Sequence, residues 1–314
     1  MTTALNVGVI GVGYLGRFHA EKYAALPEVT LAGVADIHPE RVRTVARNLE
    51  TEAFTDYRRL LPRVEAVSVA VTTSEHYAVV RDCLEAGCHV LVEKPLTATV
   101  EQGEELVDLA RQRGRHLMVG HLERFNSAME ELKRLATQPR FIESHRLAFF
   151  KERGTDVDVV LDLMIHDLDH ILSMVSAPVR EIRAAGIAVL TPVVDLANVR
   201  LEFEDGCIAN LTASRMSLKS MRRFRLFQPE AYLAVDFEAQ ELTVAARKEG
   251  AMGPIPGVAL ELRRFPKEDV LLKEIYAFVM AVRNAQEPPV PGESGLAALK
   301  LAMEINAAMR KARV

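Results

Sequence analysis

Asn6-Val-Gly-Val-Ile10-Gly11-Val-Gly13-Tyr14-Leu15-Gly16 opens with a short β-branched run, meets three glycines at fixed offsets and leaves in a helical pattern. The order carries the meaning, because such glycines are informative only where a strand runs into them and a helix runs out. Gly11 permits a tight turn, Gly13 lets backbone approach a pyrophosphate at the helix N-terminus, and Gly16 lets helix and strand pack closely. Tyr14 and Leu15 fall at the start of that helix. Asp36 ends the second apolar run, twenty positions beyond Gly16. A carboxylate there accepts from the adenosine ribose 2′-hydroxyl and repels a 2′-phosphate, and the next residue, Ile37, offers no cation to bind one. NAD is therefore expected ahead of NADP. The same residues could simply shape a βα turn and a solvated strand end; strand, loop, helix and acid occurring in order select the dinucleotide reading.

Outward from this stretch, five apolar runs alternate with helical-period segments up to about Gly120: Val7 to Ile10, Val29 to Ala35, Val64 to Val71, His89 to Val92 and His116 to Val119. Buried parallel strands covered by helices have this texture. Beyond Gly120 a helix over Asn126 to Ala136 and a strand-like Phe141 to Phe150 lead into a strongly apolar helix candidate, Val157 to Val175. From Val179 to Ala246 strand-like runs follow one another, and Asp205-Gly206 between two of them is a hairpin signal. Glu249 to Gly257 and Glu287 to Gly292 read as loops, with helices over Glu268 to Arg283 and Glu293 to Lys311. The expected fold is an α/β Rossmann domain over residues 1–122. An α+β substrate-binding and oligomerisation domain follows over 123–314, built on a large, mainly antiparallel, open-faced sheet. The C-terminal helix is expected to pack back on the first domain.

The chain has 314 residues, 49% of them hydrophobic and 26% charged, enough for two domains with cores of their own. Thirty-nine basic against 43 acidic residues leave a net charge of -4, too balanced for the broad positive field that nucleic-acid binding draws on. Its three cysteines, Cys83, Cys88 and Cys207, lack metal-like spacing and an even count, so they read as thiols in a reducing compartment. The first residues lack a secretory pattern, and no apolar run approaches bilayer length. A cytoplasmic protein with no membrane or nucleic-acid partner is expected.

Two groups sit where an open α/β sheet meets its ligands, at the carboxyl ends of strands. Thr72-Thr-Ser-Glu-His76 follows the run Val64 to Val71, and Glu93-Lys94-Pro95 ends the run that starts at His89. Thr72, His76, Glu93 and Lys94 are candidate cofactor contacts. Lys94 could also hydrogen-bond a substrate hydroxyl and stabilise alkoxide character, although a surface lysine before a turn proline reads the same way. In the second half Asp162 and His166 stand four apart on a helix and share a face. The imidazole could take a hydroxyl proton with Asp162 orienting it, or the pair could be a helix histidine satisfied by its neighbour. His166-Asp-Leu-Asp-His170 resembles a zinc-hydrolase helix in spacing, but Asp167 is one carbon shorter than the glutamate such a helix needs, and no metal is expected.

Taken together, Gly11-x-Gly13-x-x-Gly16, Glu93-Lys94-Pro95, Val119-Gly120 running into Arg124-Phe125-Asn126, and Asp162-x-x-x-His166 resemble the Gfo/Idh/MocA family of sugar and inositol dehydrogenases. The resemblance spans nearly the whole chain. It implies that Lys94 and His166 flank a substrate hydroxyl beside the nicotinamide, with Asp162 a further contact and substrate bound between the domains. It also implies a homodimer or homotetramer made through the open sheet face. One departure is that Thr155-Asp-Val-Asp-Val-Val and Met164 stand where many members carry glycines.

A narrower resemblance lies in His121-Leu-Glu-Arg124-Phe-Asn126, Arg153-Gly-Thr-Asp-Val-Asp-Val-Val-Leu-Asp162 and Asn210-Leu-Thr-Ala-Ser-Arg215. These are similar to the branch of UDP-N-acetylglucosamine 3-dehydrogenases that prepare a sugar for amination in lipid A biosynthesis. The implied reaction is NAD-dependent oxidation of a secondary hydroxyl of a nucleotide sugar, at C3. A pyrophosphate-bearing substrate needs cations, and Arg124, Arg153 and Arg215, with Asn126 and Asp162, are the expected substrate contacts; Lys151, Lys219, Arg222 and Arg223 could serve or merely keep the sheet solvated. The alternatives are a dehydrogenase of a free sugar, inositol or polyol, and a non-catalytic NAD or nucleotide-sugar sensor.

Overall fold

The computed structural model describes residues 4–150, 157–252 and 254–311. They group into two compact units, Met1–Leu122 with Asp269–Leu299, and Glu123–Glu268 with Lys300–Val314.

In the first unit β1 (Leu5–Ile10), α1 (Tyr14–Ala24), β2 (Val29–Ala35), α2 (Pro39–Asn48), β3 (Glu52–Phe54), β4 (Ala66–Val69), α3 (Thr73–Glu85), β5 (His89–Glu93), α4 (Val100–Arg113) and β6 (Leu117–Gly120) follow one another. The sheet is parallel throughout, in the order β3-β2-β1-β4-β5-β6. This is the doubly wound Rossmann order, in which the chain reverses direction across the sheet at β1 and β4 and opens a crevice at their carboxyl ends. All four residues of β4 are buried, as two helix-covered faces require. The sequence showed five of the six strands. The sixth, β3, is three residues long at the sheet edge and buries only Phe54, too little to leave a periodic signal.

The second unit holds α5 (Ser127–Leu135), β7 (Phe141–Leu147), a π-helical turn at Val160–Met164, α6 (Ile165–Leu172) and seven more strands: β8 (Val179–Ile187), β9 (Leu196–Phe203), β10 (Ile208–Ser214), β11 (Met221–Gln228), β12 (Ala231–Asp236), β13 (Glu241–Arg247) and β14 (Val258–Arg264). They form one eight-stranded sheet in the order β14-β13-β12-β11-β7-β10-β9-β8. Every pairing is antiparallel except β7 with β10. The Asp205-Gly206 turn joins β9 to β10, with Gly206 at a φ of +83°. β14 went unseen in the sequence because its side chains are mostly exposed and show no buried period.

Alternation sorts each strand. Ile142, Ser144 and Arg146 of β7, Phe224 and Leu226 of β11, and Leu233 and Val235 of β12 face a core shared with Met129, Leu132, Leu168 and Ile305. The opposite face carries His145, Arg223, Arg225, Tyr232 and Thr243, which line a groove of about 510 Å³.

The chain re-enters the first unit with α7 (Val270–Arg283), and α8 (Gly292–Lys311) begins there and ends in the second. A Cβ on Gly292 would meet Leu117 and one on Gly295 would meet Val119, so both glycines are required for α8 to start this close to β6.

Arg146 is a cation in the apolar core, where a charge survives only if fully paired. Its Nη2 reaches Glu123 at 2.6 Å and Asp167 at 2.9 Å, with Nη1 on Glu123 at 2.7 Å and Nε on Asp167 at 2.9 Å. Burial lowers the guanidinium's pKa but the two carboxylates overcome it and drive it well above its usual value. Arg146→Ala strands two buried carboxylates, and urea denaturation is expected to show a loss of about 3–5 kcal/mol.

Candidate active site

The glycine turn has the geometry its spacing implied. Gly11 sits at a φ of +85°, and a Cβ on Gly16 would come within 1.7 Å of the Gly11 carbonyl oxygen. At Gly13 a Cβ would meet nothing within 4 Å. That open space lies at the start of α1, whose N-terminus has no side-chain cap, and the positive end of a helix favours an anionic ligand there. Tyr14, Leu15 and Ile37 are exposed around it. A dinucleotide fits these residues: pyrophosphate over Gly13, apolar surface from Ile37, and Asp36 for the ribose.

Asp36 Oδ2 accepts from the Val12 N–H at 3.0 Å and Oδ1 from the His38 N–H at 2.9 Å, which fixes the carboxylate at the mouth of the turn. The sequence showed no adjacent cation, yet the structure brings Arg41 from the first turn of α2 onto the same carboxylate, at 3.2 Å. The helical spacing of residue 41 from the strand end was the signal that could have found it.

At the ends of β4 and β5, Thr72 is exposed, whereas His76 is buried. The His76 ring nitrogens lie 2.9 Å from the Pro95 carbonyl and 3.2 Å from that of Val71. Burial depresses the imidazole's pKa. The ring thus ties the turn after β4 to the turn carrying Lys94, a clamping role the sequence did not suggest.

Glu93, also buried, pairs with His19 at 2.9 Å. Burial works against its charge, but the His19 hydrogen bond and the charges of His19, Lys94 and His76 bring its pKa below the ordinary value. Lys94 itself is half-buried.

Glu274 on α7 has the opposite fate. It is fully buried, and neither carboxyl oxygen has a hydrogen-bond partner among the described residues. Burial, reinforced by the charge of Glu93, pushes its pKa well above the carboxylate range. Neither His19 nor Glu274 carried a sequence signal of its own.

In the second unit, the turn before α6 is π-helical where the sequence implied a plain α-helix from Val157. Asp162 lies within this π turn and His166 in the first turn of α6. π turns recur at functional sites because they re-aim side chains. Asp162 lies 3.9 Å from Arg215, whose Nη2 donates to the Val157 carbonyl at 2.8 Å. His166 is buried and close enough to Glu123 to help lower that carboxyl. His170, its partner in the metal-like spacing, stacks on Phe237 at 6.0 Å, with Nε2 3.8 Å from Glu123.

The expected phosphate contacts fare unequally. Arg124 forks onto Asp169 with two bonds of 2.6 Å, and Arg215 is buried near Asp162 and Asp195. Asn126 caps α5, accepting from Ala128 at 3.1 Å and Met129 at 3.3 Å, and donates to Gln240. Each of the three is thus held in place by bonds within the second unit. Arg153 and Lys151 lie outside the described residues. Arg222 and Arg223 are exposed on β11, and Lys219 is exposed just before it.

A parallel-sheet nucleotide fold followed by a sheet-and-helix unit carrying an Asp-x-x-x-His turn defines a two-unit dehydrogenase, and comparison with known proteins agrees. Residues 5–121 match the oxidoreductase family with an NAD-binding Rossmann fold, and 134–233 match the GFO/IDH/MocA C-terminal domain. The chain belongs to the Gfo/Idh/MocA family and, with it, to the NAD-binding oxidoreductases. It is 40% identical over 306 residues to the UDP-N-acetylglucosamine 3-dehydrogenase of Acidithiobacillus ferrooxidans, covering 97% of each chain. A solved structure of that enzyme superposes with a TM-score of 0.93 over 98% of both chains at 39% identity. The myo-inositol 2-dehydrogenase of Thermotoga maritima is 26% identical over 316 residues, covering 95% of this chain and 94% of its own. The scyllo-inositol dehydrogenase of Lactobacillus casei, solved with NAD(H) and scyllo-inositol, shares the fold at a TM-score of 0.81 and 20% identity, each chain 98% covered.

Two outcomes follow from the first unit. Asp36→Ala removes the carboxylate expected to meet the ribose and releases Arg41, so titration calorimetry should show the NAD Kd rising about tenfold, the size of a lost charged hydrogen bond, and the gap to NADP narrowing. Because Glu274 keeps its proton in the folded state while an unfolded glutamate ionises above about pH 4.3, this residue's contribution to stability falls as pH rises from there. Glu274→Gln should therefore be more stable than the parent at pH 8 and nearly equal to it at pH 4, in parallel denaturation curves.

Proposed function

We propose that this chain oxidises the C3 hydroxyl of UDP-N-acetylglucosamine to a ketone with NAD. The carrying observation is the end-to-end likeness, at 40% identity, to an enzyme named for that reaction. Lys94 at the end of β5 and the Asp162–His166 pair on the π turn and α6 support it, being the donor and acceptor types the chemistry needs.

The secondary alcohol loses its carbon-bound hydrogen as hydride and its hydroxyl hydrogen as a proton, so alcohol and NAD become ketone, NADH and one proton. NAD supplies the hydride acceptor. His166 or Lys94 takes the hydroxyl proton, Lys94 stabilises negative charge on the oxygen as it develops, and Asp162 holds a substrate hydroxyl with Arg215 beside it. Binding energy from the uridine and pyrophosphate would position the reacting carbon. Arg124, Arg153 and Arg215, with Asn126, are the proposed phosphate and sugar contacts, Arg124 steadied by Asp169 and Arg215 by the Val157 carbonyl. The reading includes a cytoplasmic enzyme of lipid A precursor synthesis, assembled as a homodimer or homotetramer through the open face of the eight-stranded sheet.

Incubation with NAD should generate NADH absorbance from UDP-N-acetylglucosamine well ahead of free N-acetylglucosamine or myo-inositol. An aminotransferase with glutamate, or a ketone trap, is needed to draw the uphill step forward. Robust oxidation of inositol with none of the nucleotide sugar would move the substrate to the free-polyol class, and no turnover with any sugar would leave a sensor. Lys94→Met and His166→Ala are expected to lose at least a hundredfold in kcat while binding NAD normally.

A further inference from the structure

The reaction above uses Lys94 and leaves its neighbour Glu93 without a task. Glu93 Oε1 accepts from His19 Nε2 at 2.9 Å. The other ring nitrogen, Nδ1, lies 3.1 Å from Ser68 Oγ, and Ser68 Oγ lies 2.9 Å from the Tyr23 hydroxyl. His19, Ser68 and Tyr23 are each no more than 1% exposed. His19 and Tyr23 share a face of α1, Ser68 comes from β4 and Glu93 ends β5.

Nε2 faces a carboxylate, so it carries a hydrogen and donates. Nδ1, Ser68 Oγ and the Tyr23 hydroxyl continue the hydrogen-bonded chain away from Glu93, an arrangement in which successive bonds polarise one another. A buried carboxylate costs several kcal/mol unless it is paired, and a glutamine of the same shape would not carry that cost. The fold nevertheless makes room for it: a Cβ on Gly120 would stand 3.2 Å from Glu93 Oε2.

We propose that the Tyr23–Ser68–His19–Glu93 chain is a positioning device for Lys94. His19 locks the Glu93 carboxylate and so fixes the end of β5, from whose next residue the Lys94 side chain departs toward the substrate hydroxyl. The inference rests on the assignment of Lys94 to catalysis. Six groups act electrostatically on Glu93 or belong to its chain: His19 and Tyr23 from α1, Ser68 from β4, His76 from α3, Lys94 after β5 and Glu274 from α7. Glu274, held neutral, completes the asymmetry, since a second anion there would compete for the same donors.

The test compares His19→Ala, His19→Gln and Glu93→Gln with the parent enzyme. In His19→Ala, kcat should fall about ten- to a hundredfold, as misplacement of a catalytic group does, with the NAD Kd within about twofold. The KM for the sugar should change by less than about threefold, because the loss is in placement for the chemical step and not in binding. Glu93→Gln, which cannot pair with His19 as an anion, should lose kcat in the same range. His19→Gln, which keeps a donor for Glu93, should recover much of the loss. Unchanged kcat in a folded His19→Ala, or NAD binding lost in step with kcat, would overturn the proposal. Lys94→Met separates the two layers: its inactivity beside a fully active His19→Ala refutes the positioning chain alone, and its full activity refutes the assignment beneath it.

Discussion

No side chain fits between α1 and β1 at Gly16, because a single added carbon would collide with the Gly11 carbonyl oxygen. That close approach governs the first unit. It sets the start of α1 directly after the open space at Gly13, where uncapped N–H groups favour a phosphate. It also lays the buried face of α1 on β4, so that His19 and Tyr23 reach Ser68. The outer, ligand-directed function of the helix and its inner hydrogen-bond chain are thus consequences of one steric constraint. Displacing the helix would disturb both together.

The second unit solves a different problem. All but one residue of α6 is buried, including Asp167, Asp169, His166 and His170. A helix so polar can be buried only if each charge is matched, and Arg146 and Arg124 match the two aspartates. Pairs of this kind add little net stability, but breaking one is costly, so they define the rotation of the helix more than they strengthen the fold. His166 stands between Ile165 and Asp167 on this pinned helix, and its direction follows from the ion pairs at Asp167 and Asp169 just beyond it. The π turn just before it then sets the placement of Asp162.

Glu93 and Glu274 show how far surroundings override residue type. Both are buried in the same unit and interact electrostatically, yet one is held ionised by His19 and the other keeps its proton for want of a donor. Two like carboxylates with divergent proton affinities are the pattern by which a site prepares separate roles from one side chain. A single negative charge remains, on the residue next to Lys94.

The primary structure by itself determined the features that depend on neighbours along the chain. The glycine turn and Asp36 are legible because a strand–turn–helix imposes its spacing locally, and the Glu93-Lys94-Pro95 and Asp162-x-x-x-His166 motifs are legible as short patterns. The hairpin at Asp205-Gly206 is likewise local, since a left-handed turn residue announces itself. Only the tertiary structure decided what distant residues do to one another. Arg124, Arg215 and Asn126 stand out in sequence as polar groups, and only folding shows the internal partners that hold them, Asp169, Asp162 and a helix end. His19 is an ordinary helix residue until Ser68 and Glu93, 49 and 74 positions away, close around it. The short edge strands β3 and β14 escape notice because a strand with little buried surface has no hydrophobic period, and only its backbone pairing to a neighbour defines it. Hydrogen bonding and burial act through space, so the partners that set a buried group's charge have no fixed offset in the sequence to betray them.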